Sequence, residues 1–184
     1  MLQRKPKPLP AGKLLEYALR SLSSRAHSLG ELRQKLHRRA EKPEDIEEVI
    51  SKLKDAGYLD DQRFAEGFAS ARLQNEGLGK QRVLRDLRTR RVAPGLAEQV
   101  VEQTFRETNE TELVEAYLAR KFRGKSLPEF LSDEKNLAGA FRRLRYAGFG
   151  AGTAITVLKR YANSAEKLED QVIEELDVPD PDLQ

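Results

Sequence analysis

Apolar residues along this chain recur at the spacing of an α-helix almost everywhere and alternate as in a strand almost nowhere. Leu15, Ala18, Leu19 and Leu22 predict a first helix from near Lys13. After Ser23, Ser24 and Ser28 loosen the chain, Leu29, Leu32, Leu36 and Ala40 predict a second, and Ile46, Val49, Ile50 and Leu53 a third. Pro43 opens that third helix, because proline is tolerated in a first turn, where Glu44 and Asp45 also suit the positive end of the dipole. Gly57 closes it by accepting a left-handed conformation. Asp60 or Asp61 then caps a fourth helix carrying Phe64, Ala65, Phe68 and Ala71.

The pattern repeats. An offset of 51 carries Leu32 onto Val83, Leu36 onto Leu87, Pro43 onto Pro94, Val49 onto Val100 and Ile50 onto Val101. A further 57 carries Val83 onto Ala140, Leu87 onto Leu144, Val100 onto Val157 and Val101 onto Leu158. The prediction is an all-α protein of three tandem three-helix repeats in an elongated, curved arrangement, since helical units of this period share cores with their neighbours. Residues 1–12 read as a flexible, basic, proline-rich N-terminus, 13–57 as repeat 1, 58–106 as repeat 2 and 107–163 as repeat 3. Repeat 3 carries an insertion at 124–135, where Gly124 and Pro128 interrupt a helix and Ser132 or Asp133 restarts one. Asn109 and Glu112 resemble a capping box at its start. Residues 164–184 form an acidic C-terminal tail, part helical through Leu168, Val172 and Leu176.

Composition narrows the class. Charged residues make up 34% of the chain and there is no Trp, which favours an open, solvated helical protein over one large core. Cysteine is absent, so disulfides and thiolate metal sites are excluded. With no signal-like apolar run, no spanning segment and a disulfide-free composition, the expectation is a cytoplasmic protein that uses no membrane. The net charge of +3 hides an asymmetry: Glu166–Gln184 holds eight acids against Lys167, leaving the body strongly basic. A basic body with an acidic tail points to a polyanion, or to a partner wrapped around one.

On the middle helix of repeat 2, Val83, Leu84 and Leu87 share one side while Arg82, Arg85 and Arg88 lie on the other. The repeat offset places Arg142 and Arg145 at the positions of Arg85 and Arg88. Repeat 1 has Gln34 and His37 there, so the basic surface is expected on repeats 2 and 3. Arg63, Arg72, Lys80, Arg90 and Arg91 complete the candidate binding set. Contacts from such a surface to phosphate would be salt-sensitive and carry no base readout. His27 and His37 lie on separate helices without a metal-ligand pattern, and no metal or cofactor is expected. Asp60–Asp61 reads as caps and Glu47–Glu48 as a solvated face. Gly148, Gly150 and Gly152 read as a helix–helix junction, since no strand precedes them. No catalytic constellation emerges, so the chain is not expected to be an enzyme.

The run GYLDDQRFA, from Gly57 to Ala65, resembles the most recognisable motif of the RecX family of bacterial recombination regulators. Residues 32–61 are similar to that family's first unit and 63–101 to its second, while the third unit and the tail match by layout. The resemblance implies a modulator that binds RecA and the RecA–DNA filament, limits filament growth, and lowers ATP hydrolysis, strand exchange and co-protease activity. It also implies direct DNA binding. Of the motif residues, Gly57, Tyr58, Leu59, Asp60, Asp61 and Phe64 are given structural work, with Tyr58 and Leu59 as apolar residues at a joint between units; only Arg63 is a contact candidate. Gly79, Lys80 and Arg82 match the family's glycine-and-basic signature, but Arg90 or Arg91 stands where the family commonly has a glycine, leaving the helix end open.

The expected function is therefore RecA-filament inhibition by a monomer, with Arg82, Arg85, Arg88, Arg142 and Arg145 facing acidic protein or DNA phosphate. The alternative is a general DNA-binding helical protein that acts on recombination by competing for DNA. An autoinhibitory role for the tail, folding over the arginines in place of phosphate, is a further expectation.

Overall fold

The computed structural model describes residues 7–167. They are all-α, as the periodicity predicts: ten α-helices and one 3₁₀ helix, with no strand beyond an isolated bridge between Leu9 and Ala40. The chain divides into two compact units. Unit 1 comprises Met1–Ser70 with Leu84–Thr104, and unit 2 comprises Ala71–Val83 with Phe105–Gln184. The three divisions fall inside the three helices of repeat 2, the third at the last residue of its final helix.

In unit 1, α1 (Ala11–Ser24), α2 (Leu29–His37) and α3 (Glu44–Asp55) enclose a core of Leu14, Ala18, Leu32, Leu36, Ile46, Val49, Ile50 and Leu53. The buried face of α1 is turned from the predicted one: Leu14, Ala18 and Ser21 are buried, Leu15 is half-buried and Leu19 is exposed. Ser21 disguised that face, because its hydroxyl donates to the Tyr17 carbonyl at 3.0 Å and so enters the interior satisfied. Order also begins before Lys13. Leu9 donates to the Arg39 carbonyl at 2.6 Å and accepts from the Glu41 amide at 3.0 Å, and α1 starts at Ala11.

Ser28 does not loosen the chain. It caps α2 in a full capping box, its hydroxyl accepting from the Glu31 amide at 3.0 Å while its own amide donates to the Glu31 carboxylate at 3.4 Å. The sequence placed such a box at Asn109 instead. There the cap is simpler: Asn109 accepts from the Thr111 amide at 3.1 Å, and Glu112 bonds the Asn109 side-chain amide rather than its backbone.

The second repeat contributes α4 (Asp61–Glu76), α5 (Lys80–Thr89) and α6 (Pro94–Phe105). In unit 2, α7 (Glu110–Lys121), the short α8 (Leu127–Leu131), α9 (Glu134–Tyr146) and α10 (Ala151–Lys159) surround Leu118, Leu131, Phe141, Leu144, Phe149 and Leu158. Phe149 is fully buried, edge-on to Tyr117 at 5.4 Å. The insertion supplies α8, whose Leu131 joins this core, and Asp133 caps α9 through the Asn136 amide at 2.9 Å. Leu168, Val172 and Leu176 lie outside the described residues.

One junction occurs twice. In unit 1 the end of α5 meets the start of α2: Ser28 donates its hydroxyl to the Arg90 carbonyl, and a Cβ on Gly30 would collide with the Arg91 carbonyl. In unit 2 the end of α9 meets the start of α5: Gly79 donates to the Ala147 carbonyl at 2.8 Å and Gln81 to the Gly148 carbonyl at 3.1 Å. A Cβ on either Gly79 or Gly148 would strike the opposing backbone. Arg91 and Gly148 are equivalent by the repeat offset, and both take positive φ, 59° and 91°.

Candidate functional site

Helix α5 is fixed by Val83 and Leu87, both fully buried, which turns the opposite side outward. Arg85 and Arg88 are exposed there and Arg82 is half-buried. Exposure alone does not leave a charge available. Arg88 is paired with Glu98 at 2.9 Å, and Arg82 donates to the Tyr146 carbonyl at 3.3 Å. The side chain of Arg85 contacts no described acid or acceptor.

Helix α9 buries Leu137, Ala140, Phe141 and Leu144. Arg142, equivalent to Arg85, is exposed and likewise without a described partner. Arg145 is half-buried and donates to the Phe149 carbonyl at 2.7 Å, so part of its guanidinium holds the turn after the helix. The stripe read from the sequence thus reduces to two uncommitted guanidinium groups at equivalent positions, Arg85 in unit 1 and Arg142 in unit 2.

The other candidates are more firmly tied. Arg63 is exposed and donates to the Gly57 carbonyl at 2.8 Å, holding the end of α3. Arg72 is half-buried and paired with Glu76. Lys80 is half-buried at the start of α5. Arg90 pairs with Glu31 at 2.8 Å and lies 5.6 Å from the Phe68 ring centre. Arg91 donates to Gln34 at 3.1 Å and, by its positive φ, ends α5 at Thr89, where the sequence left the boundary open.

The motif residues divide by role. Leu59 is buried in the first core, Asp60 caps α4 through the Arg63 amide at 2.9 Å, and Asp61 accepts from the Leu29 amide at 2.6 Å. Gly57 has φ 71°. Tyr58, read from the sequence as an apolar residue at a joint, is 61% exposed. It borders a cavity of about 730 Å³ in unit 1 that Phe64, Phe68 and Arg63 also line.

Sequence reasoning missed residues of unit 2. Arg143 and Lys121, both exposed, border a cleft of about 290 Å³ with Arg82 and Tyr146, which is 70% exposed. The signal was an aromatic at the end of a basic helix, visible as RRLRY.

Electrostatics concentrate at Glu31. Burial pushes its carboxyl upward, but hydrogen bonds from Arg25 and Arg90 outweigh that and hold it at about 2. His27, buried nearby, is held below its ordinary value by burial and then by Arg25 and Lys35, so it is neutral near pH 7. No group of three or more metal-ligating side chains occurs among the described residues, and none of their helices is long and apolar enough to cross a membrane.

Comparison with known proteins extends the likeness read from the motif. Residues 15–53 match the profile of "RecX, first three-helix domain" and residues 60–101 that of "RecX, second three-helix domain". The "Regulatory protein RecX" of Deinococcus radiodurans is 33% identical over 149 residues, covering 81% of this chain and 68% of that protein. That of Vibrio parahaemolyticus is 33% identical over 151 residues, covering 81% and 90%. The crystal structure of RecX from Lactobacillus salivarius superposes with a TM-score of 0.59 at 19% identity, over 82% of this chain and 96% of that one, and so shares the fold. The chain belongs to the RecX family of regulatory proteins.

Proposed function

We propose that this protein binds RecA and RecA–DNA filaments and inhibits filament growth, ATP hydrolysis, strand exchange and co-protease activity. It acts as a non-catalytic cytoplasmic monomer. Beside the family membership, the observation that carries this reading is the pair Arg85 and Arg142: equivalent in the repeat, exposed, and uncommitted within the protein. Packing requires a charge at neither position. Each offers a guanidinium to carboxylate or phosphate without breaking an existing ion pair.

Arg85→Glu with Arg142→Glu tests this. Inhibition of DNA-dependent ATP hydrolysis by RecA is expected to fall roughly tenfold in potency, with helicity unchanged. Unaltered inhibition would remove these residues from the mechanism.

A second reading is general DNA binding that limits recombination by competition. It is favoured by exposed Tyr146 beside Arg143 and Lys121, since aromatic faces among cations suit unpaired bases. Order of addition separates the two. A competitor for DNA leaves filaments already saturating the strand intact, whereas a filament antagonist still acts on them.

A further inference from the structure

The cavity in unit 1 is not explained by the arginine surface. Its volume, about 730 Å³, lies within the range of ligand pockets. Leu19, Leu22, Phe64 and Phe68 supply apolar walls, and the first of these is the leucine that α1 turns away from its core. Phe64 and Phe68 stack at 6.0 Å between ring centres. Arg25, Arg63 and Arg90 line the same cavity with the carboxylate of Asp60, which is engaged as a helix cap; Arg25 and Arg90 share the Glu31 carboxylate, and Arg63 donates to the neutral Gly57 carbonyl. Three guanidinium groups against the two carboxylates of Asp60 and Glu31 leave the site net positive, which together with the apolar walls favours an anionic ligand with an apolar part.

We propose that this cavity is the docking site for an acidic peptide segment of a partner protein. One bulky apolar side chain of the segment enters against Leu22, Phe64 and Phe68. A neighbouring carboxylate meets Arg63, which forms no ion pair among the described residues, at a wall that Arg25 and Arg90 with their shared Glu31 keep net positive. Single-stranded nucleic acid suits the place less well. A strand needs cations spaced along its backbone, whereas these three converge on one cavity and two of them are already drawn together by Glu31. The leucine walls fit an aliphatic or aromatic side chain inserted end-on, in the manner of a short-motif anchor. Exposed Tyr58 at the border adds contact area with little side-chain entropy to lose. This site needs no DNA and stands apart from the proposal made for Arg85 and Arg142.

The test is fluorescence anisotropy of a labelled peptide of about twelve residues, mostly Asp and Glu with a central Phe-Leu pair, titrated with the full chain. Saturable binding is expected. Arg63→Glu, and independently Tyr58→Ala, weaken it by roughly tenfold and threefold, while Arg142→Glu leaves it within about twofold. Replacing Phe-Leu in the peptide by Ala-Ala abolishes saturation. The chain has two histidines, so the ring signals of His27 are assigned against a His37→Gln variant; they shift with the peptide and not with the Ala-Ala control. Tyr58 is exposed, so Tyr58→Ala keeps the test valid if Arg63→Glu disturbs the end of α3. Absence of saturable binding overturns the proposal, as does binding indifferent to both substitutions. So does equal displacement by an oligo-dT strand, which would make the ligand nucleic acid. Binding that appears only after the acids of residues 169–182 are changed to amides would make the chain's own tail the occupant, and would also overturn it.

Discussion

The two junctions between middle helices solve one geometric problem with different residues. In unit 2 the turn after α9 takes its left-handed residue as Gly148 and meets Gly79, so backbone approaches backbone with no side chain on either side. In unit 1 the equivalent turn after α5 uses Arg91, and the facing position of Gly79 is Ser28. Only Gly30, the second residue of α2, remains to make room. The side chains then add what glycine cannot. Ser28 reaches the Arg90 carbonyl, Arg90 pairs with Glu31, and Arg91 bonds Gln34. An arginine held at positive φ costs about 1 kcal/mol or more, and the polar network offsets it. The comparison teaches that the close approach is the invariant and the glycine is only one way to reach it.

The largest effect is expected where no side chain can move aside. Gly79→Ala or Gly148→Ala drives a Cβ into backbone, and each should lower unfolding free energy by about 3 kcal/mol or more in urea titration. Gly139→Ala, with open space around the same helix α9, should be neutral or stabilising by about 0.5 kcal/mol. A small loss at Gly79 or Gly148 would mean that the junction is not rigid.

Next comes Glu31. Its folded pKa lies below that of the unfolded chain, so its contribution is present above about pH 4.5 and is lost as pH falls toward 2. Glu31→Gln should cost about 2 kcal/mol at pH 7, allowing for solvent screening. The deficit should vanish near pH 2, as read by thermal melts across pH. A deficit independent of pH would assign the effect to the cap geometry alone.

The smallest effect probes the strained arginine. Arg91→Gly should stabilise by up to about 1 kcal/mol, since relief of the left-handed strain competes with the lost bond to Gln34 and with greater freedom of the unfolded chain. The same substitution should leave the uncommitted Arg85 unaffected, which inhibition assays on folded variant would show. Marked destabilisation would make Arg91 a structural anchor rather than a tolerated exception.

Much of this was legible from spacing. The periodicity of Leu32, Leu36, Val83, Leu87, Ala140 and Leu144 names the buried face of three middle helices, because burial imposes a helical period directly on residue type. The repeat offset likewise identified Arg85 and Arg142 as equivalent outward positions. It failed where polar groups are satisfied by local bonds. Ser21 goes inside, Ser28 builds a cap rather than a loose turn, and Leu19 faces a cavity rather than the core. The GYLDDQRFA motif gave the family, but its hydroxyls, carboxylates and rings did not reveal that Tyr58, Phe64 and Arg63 border one cavity.

By itself, then, the sequence determined the all-α class, the repeated helical unit and the family, since each depends on the order of residue types along the chain. The tertiary structure alone decided which arginines are uncommitted, because Arg88, Arg90 and Arg145 differ from Arg85 and Arg142 only in having an acceptor brought within reach by folding. It alone also decided that Arg91 ends α5. A left-handed arginine is disfavoured by its own sterics, and folding offsets that: Arg91 donates to the Arg88 carbonyl at 2.8 Å and Val92 to the Leu87 carbonyl at 3.1 Å, while the start of α2 packs against the turn.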